Sequence, residues 1–201
     1  MSLSFLALGD SYTIGEGVDE QDRWPVQLAR ALRDAGRDIE DPRIIARTGW
    51  TTDELMEAID ASGVTGDWDL VTLLAGVNDQ YRGYEPDRYQ ESFSAMVGCA
   101  LGFAKLPERL LVLSIPDWGI TPFAEGRDRQ AIGKQIDIFN SIAADLAFGV
   151  GSQFVNITPL TRLSATQPGL LVSDGLHPSG EAYRMWVGKV LPVAARALDV
   201  S

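Results

Sequence analysis

The chain has little of the chemistry from which most reactive sites are built. Its 201 residues hold one cysteine and one histidine. A single cysteine, Cys99, excludes an intramolecular disulfide and any multi-cysteine metal site. Its neighbours Val97, Ala100 and Leu101 are apolar, which predicts a buried structural thiol rather than a nucleophile. Positive charge is scarce as well: 17 Lys and Arg stand against 28 Asp and Glu, a formal net charge of −11. Nucleic acids and anionic membranes are met by clustered cations, so neither is an expected partner. No apolar run approaches the roughly 20 residues that cross a bilayer, so no integral membrane contact is expected. The chain as a whole is 45% apolar and 22% charged, an ordinary globular composition. It is long enough to bury one core and reads as a single domain over residues 1–201.

The apolar stretch from Met1 to Leu8 has no basic leader and runs straight into Gly9-Asp10-Ser11. It reads as a strand rather than a signal-peptide core, and a cytoplasmic location is the expectation. Further along, short apolar runs alternate with amphipathic stretches of helical length. Residues 5–8, 43–46, 70–74, 110–115 and 153–157 read as strands, apolar on both faces where a sheet is covered on both sides. Residues 23–35, 52–62, 86–103, 128–148 and 179–198 read as helices. Trp24, Leu28, Ala31 and Leu32, for example, share one helical face. Such alternation predicts an α/β fold of three layers, doubly wound about a five-stranded parallel sheet. Two connections, 116–127 and 158–173, exceed what such units need, and long loops in a compact domain are often functional.

Because there is one histidine, a histidine-dependent mechanism has one candidate base. His177 lies in Asp174-Gly175-Leu176-His177-Pro178, where Pro178 disfavours helix at the histidine and suits the approach to the last helix. Asp174 is near enough to fix the imidazole tautomer. Ser11 follows the first strand, where an open parallel sheet places its ligand crevice. Gly76-Val77-Asn78-Asp79 follows the third strand, so the Asn78 amide is a candidate donor to a developing oxyanion. Gly49, after the second strand, allows close backbone approach and offers its N–H. Each segment also has a plainer reading. Gly9-Asp10-Ser11 suits a turn, and Asn78 a cap or Asx-turn. Gly49 suits a turn beside a Thr51 or Thr52 cap, and Asp174 with His177 a surface capping pair. Glu16, Asp19, Glu20 and Asp22 read as a solvated acidic loop.

The four segments together resemble the four blocks of the GDSL-like SGNH hydrolase family, from Gly9 to Pro178. The resemblance implies a flavodoxin-like three-layer fold and a serine esterase or acylhydrolase acting on a small-molecule ester. It implies Ser11 as nucleophile, the Asp-x-x-His pair Asp174 and His177 as orienting acid and base respectively, and Ser11, Gly49 and Asn78 as the oxyanion hole. No metal and no cofactor are implied. The stretch from Ser114 to Pro122 is similar to bacterial members, with no chemical role attached. Tyr12, Trp50, Tyr81, Tyr84, Trp118 and Phe123 fall in loops near the expected crevice, as pocket lining or as packing beneath the loops. Two rival readings keep the fold: an acyltransferase with the same triad, and a small-ligand binding module without catalysis. A metal-dependent phosphoesterase is disfavoured, since one histidine and scattered carboxylates make a poor dinuclear site. The sequence is silent on oligomeric state.

Overall fold

The computed structural model describes residues 2–200; Met1, at the head of the first apolar stretch, lies outside them. Strand β1 (Phe5–Gly9) is buried along its whole length and leads into a single turn, α1 (Ser11–Ile14). Then follow α2 (Trp24–Asp34), β2 (Arg43–Ala46), α3 (Thr52–Ser62) and β3 (Leu70–Leu74). The short α4 (Val77–Tyr81) precedes α5 (Pro86–Leu101), β4 (Leu110–Leu113) and α6 (Arg129–Gly149). The chain closes with β5 (Gln153–Val155), α7 (Thr158–Thr161) and α8 (Gly180–Asp199).

The strands form one parallel sheet in the order β2-β1-β3-β4-β5. Helices α2 and α8 pack on each other in one outer layer, while α5 packs against α3 and α6 in the other. The expected three-layer fold is therefore found. Because β1 pairs with both β2 and β3, the chain reverses direction across the sheet there. Such a switch point opens a crevice beyond the carboxyl ends of the strands. Gly9 is level with Ala46 on one side and Leu74 on the other. Ser11, Gly49 and Asn78 follow those three ends within four residues, so one edge receives all three.

The predicted strands extend too far at two places. β4 ends at Leu113 and β5 at Val155, because Ser114 turns its hydroxyl to the segment that follows β5. Its Oγ accepts hydrogen bonds from the Ile157 and Thr158 amides at 2.8 and 3.0 Å, replacing the ladder. α5 stops at Leu101, two residues before the predicted end. Gly9 has a different reason to be glycine. A Cβ there would lie 2.2 Å from Thr13 Oγ1 and 2.5 Å from the Leu74 carbonyl, so the turn into α1 closes only without a side chain.

The two long connections are not irregular. Residues 118–120 and 122–124 form 3-10 turns, and 158–161 a helical turn followed by further 3-10 turns. Asp117 joins the two, accepting from the Gly119 amide at 3.0 Å and from Arg162 Nε at 2.8 Å. Cys99 departs from expectation: it is half-buried on the flank of α5, where apolar neighbours in sequence face different sides of the helix. Burial still pushes its thiol above the ordinary range.

Candidate active site

Asp10 caps α1, its carboxyl Oδ1 accepting the Tyr12 amide at 3.0 Å. The cap starts the helical turn at Ser11 and aims the backbone there toward the crevice. Ser11, Gly49, Asn78 and His177 line one cavity of about 160 Å³. The backbone N–H groups of Ser11 and Gly49 donate to no acceptor among the described residues, so both are available to a ligand. Gly49 has φ +88°, a left-handed conformation that side chains resist. The Asn78 amide donates to the Trp50 carbonyl at 2.9 Å, which fixes its plane and leaves its second hydrogen free.

His177 is buried on a narrow loop. Its carbonyl accepts the Val172 amide at 2.9 Å, and the Ser179 amide reaches Leu170 O at 2.9 Å. Ser179 caps α8, so the histidine sits two residues before the cap of that helix. Imidazole Nδ1 meets Asp174 Oδ2 at 2.6 Å. The other carboxylate oxygen, Oδ1, accepts the Leu176 and His177 amides at 2.8 and 3.0 Å. Partial burial raises the Asp174 pKa, but the bonds from His177 and Leu176 outweigh it and hold the carboxyl below its ordinary range. The carboxylate is thus ionised and takes Nδ1–H, leaving Nε2 as the acceptor. Ser11 and His177 face the same cavity without a direct hydrogen bond between them, a spacing common before substrate binds. Tyr12 packs on the imidazole with ring centroids 5.3 Å apart.

The predicted aromatics divide. Tyr12, Tyr81, Trp118 and Phe123 line the cavity. Tyr81 meets Trp118 edge-on at 5.3 Å, and Arg127 lies 5.0 Å from the Tyr81 ring centre. Trp118 Nε1 donates to Gln80 Oε1 at 2.7 Å. Trp50 and Tyr84 are not in the wall. Trp50 packs on the core, and Tyr84 stacks with Arg88 and bonds to Asp53. Of the acidic loop, Glu16, Asp19 and Glu20 are exposed as expected, though Glu16 also accepts from the Thr48 hydroxyl. Sequence reasoning missed Arg82, which donates to the Gly49 carbonyl at 2.6 Å. Its spacing of four from Asn78 was readable; the contact 33 residues away was not.

Two buried carboxyls stand beneath the site. Burial raises the Asp10 pKa from 3.8 to about 8, against the Tyr12 amide bond that lowers it; the nearby Asp79 raises it further. Asp79 is also raised by burial, although the Thr52 amide donates to it at 3.0 Å. Between about pH 4 and 8 folded Asp10 keeps a proton that the unfolded chain has lost. Its contribution therefore destabilises the fold progressively as pH rises through that window, by up to about 1.4 kcal/mol per pH unit. Asp10→Asn keeps an acceptor for Tyr12 N–H and does not titrate. Its melting temperature relative to wild type is expected to climb from pH 5 to pH 8; a pH-independent difference would contradict a buried, protonated Asp10.

Comparison with known proteins identifies the family and the fold. The sequence profile of the GDSL-like Lipase/Acylhydrolase family matches residues 7–185. An arylesterase from Vibrio mimicus is 26% identical over 191 residues, covering 94% of this chain and 86% of that protein. Among solved structures, TesA superposes with a TM-score of 0.74 at 23% identity, over 96% of this chain and 99% of the other. The psychrotrophic esterase EstA from Pseudoalteromonas sp. does so with a TM-score of 0.73 at 18% identity, over 98% of each. At these identities the structural matches speak for the fold.

Proposed function

The chain belongs to the GDSL-like lipase/acylhydrolase family and is a carboxylic-ester hydrolase, and we propose that it cleaves short-chain acyl esters through Ser11, His177 and Asp174. One observation carries this reading. Ser11, Gly49, Asn78 and His177 come from four strand or helix ends and share one cavity, with Asp174 bonded to the far side of the imidazole. A turn, a cap and a surface pair have no reason to converge in that way.

In this mechanism Ser11 Oγ attacks the ester carbonyl carbon while His177 Nε2 takes its proton. Asp174 stabilises the imidazolium and does not itself become protonated. The carbonyl oxygen becomes an oxyanion facing the Ser11 and Gly49 N–H groups and the Asn78 amide. Collapse breaks the carbon–oxygen bond to the alcohol, which leaves with the proton from His177. Water, deprotonated by the same imidazole, then attacks the acyl-serine. Breakage of the serine ester releases the acid and restores Oγ–H.

A cavity of about 160 Å³ is small beside the roughly 300–1,000 Å³ of drug-sized sites, which favours acetyl and other short acyl groups. The Tyr81, Trp118 and Phe123 wall suits a flat aryl alcohol, in keeping with the name of the Vibrio mimicus relative. The expected result is Asn78-dependent hydrolysis of p-nitrophenyl acetate, with longer acyl chains progressively slower. Asn78→Ala should lower kcat by roughly 10²- to 10³-fold with little change in KM. A loss confined to KM would place Asn78 in ground-state binding and count against the oxyanion role.

A further inference from the structure

The Gly49 N–H is useful only if its peptide is held still, and Gly49 has few means of holding itself. It has no side chain, its φ is positive, and beyond its two chain neighbours no heavy atom of the described residues lies within 4 Å of the place a Cβ would occupy. Packing therefore does not fix it; hydrogen bonds must. The amide of the next residue makes only a long turn bond, Trp50 N–H to the Arg47 carbonyl at 3.3 Å.

We propose that Arg82 is a positioning residue for the oxyanion pocket, clamping the Gly49 carbonyl from the same helical turn that presents Asn78. Residues 78 and 82 are four apart, so they share one face of that turn. The Arg82 amide closes it by donating to the Asn78 carbonyl at 2.9 Å. From this face two side chains grip two successive carbonyls. Asn78 Nδ2 holds Trp50 O at 2.9 Å, and an Arg82 Nη holds Gly49 O at 2.6 Å. The guanidinium is itself fixed by a two-pronged bond to Glu54, with N–O distances of 3.1 and 2.9 Å. This planar fork gives direction as well as charge. Glu54 also accepts the Thr51 amide at 2.9 Å within the capping box of α3. Asp79, from α4, takes the Thr52 amide at 3.0 Å. Every residue from 49 to 52 is thereby tied to α4, to its capping residue Arg82 or to the first turn of α3. The Thr51 amide and Arg82 keep the Glu54 carboxyl below its ordinary range, so the clamp stays ionised.

A plain surface ion pair would behave differently. The Arg82 and Glu54 side chains are 45% and 40% exposed, and pairs so open to water add little to stability. Loss of Arg82 should therefore leave the melting temperature nearly unchanged while the transition state suffers. This inference rests on the oxyanion reading of Gly49 and Asn78. The test compares wild type, Arg82→Ala, Arg82→Lys and Ser11→Ala on p-nitrophenyl acetate. It also compares their affinity for an alkylboronic acid, whose adduct with serine mimics the tetrahedral intermediate. Arg82→Ala is expected to lower kcat by about 10-fold with KM within about twofold, and to weaken the boronate in proportion. Arg82→Lys should recover part of both, and added methylguanidinium should partly rescue Arg82→Ala but not Ser11→Ala. Unchanged kcat in Arg82→Ala, or a fall in kcat with boronate affinity intact, overturns the inference. Should Arg82→Ala not fold, Glu54→Gln keeps the arginine and loosens its fork; both readouts should then fall together, and wild-type values for both overturn the inference. A wild type inactive on every ester, or a fully active Ser11→Ala, removes the reading of the pocket and the clamp with it. A Ser11-dependent esterase indifferent to Arg82 removes the clamp alone.

Discussion

Replacing Ser11 with alanine is expected to lower kcat for p-nitrophenyl acetate by about 10⁶-fold, since a triad without its nucleophile keeps only binding and oxyanion stabilisation. The change should cost the fold almost nothing. Ser11 is nearly buried, yet its hydroxyl makes no hydrogen bond to another described residue, so alanine leaves no partner stranded. The Asp10 cap works through the Tyr12 amide and does not involve the Ser11 side chain. Loss of activity without loss of melting temperature is therefore the signature. A fluorophosphonate should label wild type at one residue, Ser11, and leave Ser11→Ala unlabelled. Labelling elsewhere, or an alanine variant that still turns over, would move the nucleophile to another residue.

Asp174→Asn should lower kcat by about 10⁴-fold, and for a different reason. Asparagine keeps an oxygen where Oδ1 now accepts the Leu176 and His177 amides, so the loop is preserved. At the Oδ2 position, 2.6 Å from the imidazole, the variant presents an N–H₂ group instead. Nδ1 must then accept, the proton moves to Nε2, and the nitrogen facing Ser11 is no longer a base. The loss should fall on kcat, because the substrate meets the same walls. Mass spectrometry of the phosphonate reaction gives an independent check, since labelling should slow in parallel with turnover. An Asp174→Asn enzyme within about tenfold of wild type would return Asp174 to a purely structural cap.

These expectations divide between what the chain states openly and what it states only once folded. The strands were legible because runs such as Leu70-Val71-Thr72-Leu73-Leu74 are buried on both faces and need no partner to be recognised. The long helices were legible from the spacing of Trp24, Leu28 and Leu32. The turns α1, α4 and α7 were not, since four or five residues are too few to display a period of 3.6. Cys99 is less buried than its neighbours suggest because apolar neighbours in sequence say nothing about which side of a helix a residue occupies. For Trp50 and Tyr84 the sequence leaves pocket lining and packing both open, and their rings turn to the core and to Arg88.

By itself the sequence determined the chemical inventory: a serine after the first strand, an asparagine after the third, and one histidine three residues beyond an aspartate. Those assignments depend on residue type and local spacing, which the chain carries without folding. Tertiary structure decided that β1 lies between β2 and β3, which brings Ser11, Gly49 and Asn78 to one edge. It also decided that Arg82 reaches back to Gly49, that four aromatics wall the cavity, and that Asp10 is buried enough to keep its proton. Each of these depends on distance between residues far apart in the chain, and on exclusion of water. Both arise only when the layers close.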